Sequence, residues 1–422
     1  MKNAFIISIL LCVTATNAYG ELLTLRDSLS RAASANRGLK TAAFEERKRA
    51  ENVTIARSGY FPRLDLQGGY TVQHEPQSIL SPTGSIATQE AEYGFFSLSL
   101  NQTLYDFGRT AARTRRSFLQ QEAAALEYAG QEKDTFLEVV QGYFGILESK
   151  KLLQTAAEEV EQRKEHLRIA RNLYEQGVVT RNDLLQAEVK LADSRQRQLD
   201  AANRVENGWL SLNFLMGAQP QYRADLEEMP EIERVPATEA VPETAFATRP
   251  EIGVLRKVRQ AADEDIAESS SGYFPELYAR LGVDYLQNEK VQEQAIYAAT
   301  VGLRVNLFEG FSTTARQRQA VHNRSQAEER LRLEEERIRL ELQMARNDAA
   351  IVAERIVTIE QSIRQAEENL RINRDRYSEK VGTATEVLDA QTLLTQVKNE
   401  YYRAKYSYEV AMARIRHALG TL

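Results

Sequence analysis

Glu386 and Asp389 stand three residues apart, a spacing that puts two carboxylates on one face of a helix. Such a pair can move protons, hold a metal or draw in cations, so the partners available to it decide the chemistry. The four histidines, His74, His166, His322 and His417, fall in no metal-ligand spacing. The one cysteine, Cys12, lies in an apolar leader, which leaves the remaining chain without a thiol. No GxSxG, Walker or GxGxxG pattern occurs. Paired acids are also frequent elsewhere, and on charged helices they are usually solvated faces. The expectation is a chain that is not an enzyme, with no cofactor and no metal.

Composition narrows the class further. The chain has 422 residues, 43% apolar and 27% charged, with a formal net charge of -6. Mild acidity gives no sign of nucleic-acid binding, which usually shows as a basic patch. No run beyond the first twenty residues approaches the ~18 apolar residues of a membrane helix. Residues 1–20 read as a secretory signal peptide: Lys2 gives the positive start, Ala4 to Val13 the apolar core, and Ala18-Tyr19-Gly20 the small-residue cleavage site before Glu21. Leu11 is too large for the residue preceding a lipidated cysteine, so Cys12 is expected to leave with the leader.

The elements that must position the acids are marked out by proline. The nine prolines fall at 62, 76, 82, 220, 230, 236, 242, 250 and 275. An interior proline costs a helix about 3 kcal/mol, so long helices are confined to 83–219 and 276–422. Residues 220–250 form a proline-rich connector between two halves that repeat each other. Ser58-Gly59-Tyr60-Phe61-Pro62 recurs as Ser271-Gly272-Tyr273-Phe274-Pro275, and Leu104-Tyr105-Asp106 recurs as Leu307-Phe308-Glu309. Tyr174, Thr180, Leu185, Ala187 and Gly217 match Tyr377, Thr383, Leu388, Ala390 and Gly420 at an offset of 203. The register slips once, by ten residues, where the first copy is longer between its SGYFP motif and Leu104.

Each repeat is expected to hold a helix, a strand hairpin (63–104 and 276–307), a long helix (108–176 and 311–379) and a second helix (181–217 and 384–420). The first repeat spans 21–219 and the second 251–422. The strands alternate with period two. Leu64, Leu66, Tyr70 and Val72 oppose Asp65, Gln67 and Thr71; Leu277, Leu281 and Val283 oppose Arg280 and Asp284. Strands of this length suit either a half-buried soluble sheet or the wall of a membrane barrel, which needs roughly 9–11 residues per strand. Each long helix, if continuous, would be ~100 Å long, and hairpins of such helices need coiled-coil-like partners to bury their stripe. Four strands cannot close a barrel, and open edges cannot face lipid. Membrane-spanning strands therefore require several chains, and three would supply twelve.

With these features the chain resembles the TolC-like outer-membrane efflux protein family. The resemblance is carried by RYSEKVGTATEVLDAQTLL at 376–394 and ALGTL at 418–422, and in the first repeat by LYEQGVVTRNDLLQAEVKL at 173–191. It implies a mainly α fold with a β-barrel portion. Long helical hairpins would form a trimeric α-barrel, continued by a 12-stranded transmembrane β-barrel with four strands per chain. It also implies a homotrimer in the outer membrane with a large periplasmic portion. Such a trimer is an exit duct of a tripartite efflux pump or type I secretion system, engaged by a periplasmic adaptor and an inner-membrane pump of RND or ABC type.

Residue by residue, the resemblance places Glu386 and Asp389 at two inward-facing acidic rings of the constriction, and rings of acids make a pore cation-selective. Asp183 and Gln186 occupy the corresponding places in the first repeat. Gly177, Val178, Val179, Thr180 and Arg181, with Lys380, Val381, Gly382 and Thr383, become the tip turns that contact the adaptor. The chain departs from the family where Lys380 replaces the glycine of the first tip and Ala384 stands where some members carry a gating arginine. A periplasmic coiled-coil adaptor is the competing class, but adaptors carry one helical hairpin rather than two duplicated ones.

Overall fold

The computed structural model describes residues 22–82, 84–228, 248–379 and 381–422. The signal-peptide reading of 1–20, most of the connector (229–247) and Lys380 lie outside the described residues. The chain divides into two compact units that each draw on both repeats. One comprises Met1–Asn36, Thr135–Glu239 and Ala345–Ile415; the other comprises Arg37–Asp134, Ala240–Met344 and Arg416–Leu422.

In chain order the elements are β1 (Leu22–Leu23), α1 (Leu25–Ala35), α2 (Arg37–Arg57), β2 (Arg63–Val72), β3 (Ser78–Ser81), β4 (Gly84–Ala87), β5 (Glu92–Tyr105), α3 (Arg109–Glu175) and α4 (Arg181–Met216). There follow β6 (Asp225–Leu226), α5 (Pro250–Ser270), β7 (Glu276–Leu286), β8 (Ala295–Arg304), α6 (Ser312–Ser378) and α7 (Ala384–Ala418). The second strand hairpin is shorter than the expected 276–307, because β8 leaves the ladder after Arg304. The expected connector contains a two-residue strand near its start. Residues Asp225 and Leu226 of β6 pair in parallel with Leu22 and Leu23 of β1, and the buried Tyr143 hydroxyl donates to the Leu23 and Glu227 carbonyls. Helix α1 stops at Asn36, whose side-chain amide donates to the Leu215 carbonyl at 2.8 Å.

The Arg37–Asp134 unit holds the main sheet, four antiparallel strands in the order β2-β5-β7-β8. The ten-residue slip between the repeats is explained here. The first repeat inserts a separate small hairpin, β3–β4, between its two long strands, and the second has a short loop.

The other unit is helical, and its packing follows from sequence spacing. On α6, Val352, Ile356, Ile359, Ile363, Ala366, Leu370 and Tyr377 recur at steps of three, four and seven. On α7, Val387, Ala390, Leu394, Val397, Tyr401, Ala404 and Tyr408 follow the same rule, and the two rows pack together. This is the heptad seam of a coiled coil. Helix α4 buries Ala187, Leu191, Ser194, Ala201, Val205, Trp209, Leu212 and Met216 at comparable spacing. Among the described residues, no helix is long and apolar enough to cross a membrane.

Candidate functional site

The chemistry-bearing positions fall in two places: the turns that close the helical hairpins and the two faces of the sheet. At the first turn, Gly177 takes φ +69°, a left-handed conformation that favours glycine. It lets Val178 N–H return to the Leu173 carbonyl at 2.9 Å. Thr180 then caps α4: its hydroxyl accepts from Asp183 N–H at 3.3 Å, and the Asp183 carboxylate accepts from Thr180 N–H at 2.9 Å. The Thr180 hydroxyl also donates to Asp183 Oδ2 at 2.7 Å, and this bond, with that from Thr180 N–H, holds the Asp183 carboxyl below its ordinary range.

The second turn reaches a similar end by another route. Gly382 is needed for space, because a Cβ there would meet Arg376 Cβ at 3.1 Å and Tyr377 N at 3.2 Å. Val381 and Gly382 both donate to the Arg376 carbonyl. Thr383 N–H donates to Glu386 Oε2 at 2.9 Å, and Glu386 N–H donates to the Thr383 hydroxyl at 3.3 Å. Glu386 therefore has a structural task that its sequence position alone did not suggest, although the Thr-x-x-Glu capping pattern was legible. Its carboxylate also lies 3.8 Å from Arg376 Nη1. Asp389, one turn on, is exposed. Thr180, Arg181 and Thr383 are exposed, Val179 is half-buried, and Val178 and Val381 stand 66% and 73% exposed at matching points of the two turns.

Just past Asp389, α7 is tied to α3. Arg163, buried, donates from Nη2 to the Thr392 hydroxyl at 2.7 Å and to Glu159 at 3.4 Å. Arg197 of α4 donates to the same Glu159 oxygen at 2.8 Å. Nothing in the residue spacing marks this network, because an arginine on a charged helix looks solvated until tertiary packing covers it.

In the sheet, register sorts side chains into two chemistries. One face presents the rows Leu64–Leu100–Leu281–Ala299 and Leu66–Leu98–Val283–Tyr297 across all four strands. Leu64, Leu66, Leu281, Tyr297, Val301 and Leu303 of this face are more than half exposed. The opposite face presents Arg63–Asn101–Arg280–Thr300 and Asp65–Ser99–Gly282–Ala298. Ser97 there donates to Asp284 at 2.5 Å.

Aromatic rings bracket the apolar rows. At the end far from the helices, Phe96 and Tyr285 lie 5.7 Å apart beside Tyr70 and Tyr297. At the strand-to-helix turns, Phe107 stacks on Phe274 at 4.9 Å and Phe308 meets Phe311 at 5.5 Å. Phe107 and Phe311 hold positive φ, 53° and 66°, a costly conformation for an aromatic residue. Both remain exposed, at 43% and 76%, despite these ring contacts. Among the described residues no cluster of histidine and carboxylate groups could hold a metal.

A family model described as outer membrane efflux protein matches residues 28–218 and 241–421. The alkaline protease secretion protein AprF of Pseudomonas aeruginosa is 26% identical over 77% of this chain and 69% of its own length. The outer membrane protein TolC of Escherichia coli is 23% identical over the whole chain and 87% of its own length. Among solved structures, the Campylobacter jejuni CmeC outer membrane channel superposes with a TM-score of 0.84 at 17% identity, covering 94% of this chain and 85% of the channel. That likeness is one of fold.

Proposed function

The chain belongs to the outer membrane efflux protein family, and on that premise we propose that it is the outer-membrane exit duct of a type I secretion system or tripartite efflux pump. It acts as a passive channel and not as an enzyme, with no cofactor. The observation that carries the reading is the sheet. Its apolar rows run uninterrupted across four strands and are exposed to solvent, while both outer edges, β2 and β8, lack a strand partner among the described residues. An apolar face of strands 10, 14, 11 and 10 residues long, bracketed by aromatic rings, matches the lipid side of an outer-membrane barrel. Open edges cannot persist in lipid. Strand β2 runs away from the helices and β8 runs back toward them, so copies placed side by side would pair antiparallel and three would close twelve strands.

The helices would then stand in the periplasm, with each repeat contributing one hairpin to the tunnel. The tips carrying Gly177 to Arg181 and Lys380 to Thr383 would meet a periplasmic adaptor, with the paired valines Val178 and Val381 as apolar contacts. Asp389 would form the open acidic ring of the constriction. Glu386 adds to it while sharing its charge with the Thr383 cap and Arg376. The protease-secretion relative supports a protein cargo.

Planar-bilayer recording tests the reading. Purified protein should give discrete conductance steps and, under a KCl gradient, a cation-selective reversal potential. Asp389→Asn should move that potential toward zero. Unaltered selectivity in the Glu386→Gln/Asp389→Asn variant removes the proposed rings.

A further inference from the structure

Five arginines line a cavity of about 630 Å³ where the sheet meets the starts of α3 and α6 and the end of α5. Four of them face acids. Arg109 lies 3.5 Å from Glu276, Arg113 2.9 Å from Glu268 and Arg316 3.5 Å from Glu309, while Arg116 pairs with both Asp265 and Glu268. The fifth is Arg304, exposed at the end of β8, and among the described residues it has no carboxylate in reach.

Arg304 is left over for a structural reason. Its register partner is Glu276, but that carboxylate serves other groups: it accepts from the Thr103 hydroxyl at 3.1 Å and pairs with Arg109. Arg304 lies instead over the Tyr278 ring, its guanidinium carbon 5.0 Å from the ring centre. The ring is placed by Gly302, its register partner on the polar face, where a Cβ would meet Tyr278 Cζ at 2.6 Å. A guanidinium stacked on a ring keeps its N–H edge open to an anion.

Two residues along β7, Arg280 is exposed on the same face, opposite Thr300, and it too has no carboxylate partner among the described residues. Of the acids on this face, Asp65 pairs with Arg63 at 2.8 Å and Glu276 with Arg109. Asp284, bonded to the Ser97 hydroxyl, lies farther from the helices. The helix end of the polar face therefore presents two unpaired positive charges. Side chains on one face of a strand repeat at roughly 7 Å. The row of Tyr278, over which Arg304 sits, and the row of Arg280 are one such step apart. Alternate side chains of an extended polypeptide share that repeat.

We propose that Arg304 and Arg280 form a carboxylate-binding station on the inner wall of the pore, engaging acidic side chains of an extended polypeptide as it passes between helices and barrel. The proposal rests on the barrel reading above and gives the cargo a chemical class: chains with segments rich in Asp and Glu. The station is opposite in sign to Glu386 and Asp389, so the two places would engage different parts of a mixed-charge chain.

Block of the pore in a planar bilayer tests it, with decaglutamate added on the sheet side as the probe. In ~0.1 M KCl, where a charge is felt over about 10 Å, decaglutamate should interrupt the current and decalysine should not. Arg280→Gln/Arg304→Gln should keep the open-pore steps, since both side chains are exposed, and raise the half-blocking concentration about tenfold or more. Tyr278→Leu keeps both arginines but removes the stacking face, and should raise that concentration about threefold. Unaltered block in either variant overturns the station, as does equal block by decalysine. Equal block by inorganic phosphate at the same concentration of charge overturns the polypeptide as its ligand. An unmodified protein that gives no conductance steps defeats the barrel reading itself, and the station with it.

Discussion

At the residue scale, the two tips show how one kind of turn can be held by different local chemistry. Gly177 supplies a left-handed turn, whereas Gly382 supplies room for Arg376 and Tyr377. Gly382→Ala should therefore loosen the second tip through crowding, seen as faster amide exchange at the start of α7, with the first tip unaffected. Removing a threonine cap typically costs about 1 kcal/mol, so Thr383→Ala should raise exchange over the same turn. It should also release Glu386 from its cap.

Elsewhere, a buried histidine gives a pH signature. Protonated His417 donates from Nε2 to Asp134 at 2.8 Å and from Nδ1 to Glu341 at 3.3 Å, and these carboxylates raise its pKa from 6.5 to about 9. A folded-state pKa above the unfolded one stabilises in full below about pH 6.5, and the contribution is lost as pH rises through 9. Melting temperature should fall across that window, and His417→Gln should flatten its His417-dependent part. Glu386 and Asp389 were legible as a shared-face pair because helix spacing alone puts them together. The capping role of Glu386 came from the Thr383 backbone, and the buried Arg163 clamp from helices distant in sequence.

At the element scale, the α6–α7 hairpin holds because apolar residues keep the three-four spacing through many turns. Ile356, 1% exposed, sits at the centre of one cluster. Ile356→Ala should cost about 2–5 kcal/mol, as for other buried aliphatic truncations, and lower the thermal midpoint without altering conductance. By contrast, Val178→Asp/Val381→Asp changes exposed tip residues. It should leave stability unchanged and abolish export in cells when the adaptor is present.

The long helices could be read from the sequence because proline is absent from two blocks and the apolar period persists. The strands could be read from period-two alternation. The β3–β4 hairpin could not, since SILSPTGSIA alternates weakly and contains Pro82; only the ten-residue slip pointed to an insertion. The β1–β6 pair was also hidden, because two residues are too few to show a period and their partners are more than 200 positions apart.

At the scale of the whole molecule, the duplication visible along the sequence is not the division seen in space. Each compact unit takes segments from both repeats, because β5 pairs with β7 across the repeat boundary and α3 is tied to α7. Sequence periodicity reports local structure and cannot show which distant segments pair. On the proposed barrel the modest apolar fraction has a physical cause: only alternate residues of four strands would meet lipid, while the helices would face water. The central claim is that copies of this chain close into a membrane pore. The most direct test is conductance of the purified assembly in a planar bilayer. The account predicts discrete, cation-selective steps from an assembly of three chains. A chain that leaves the cell envelope on osmotic shock alone and adds no conductance to the bilayer would contradict it.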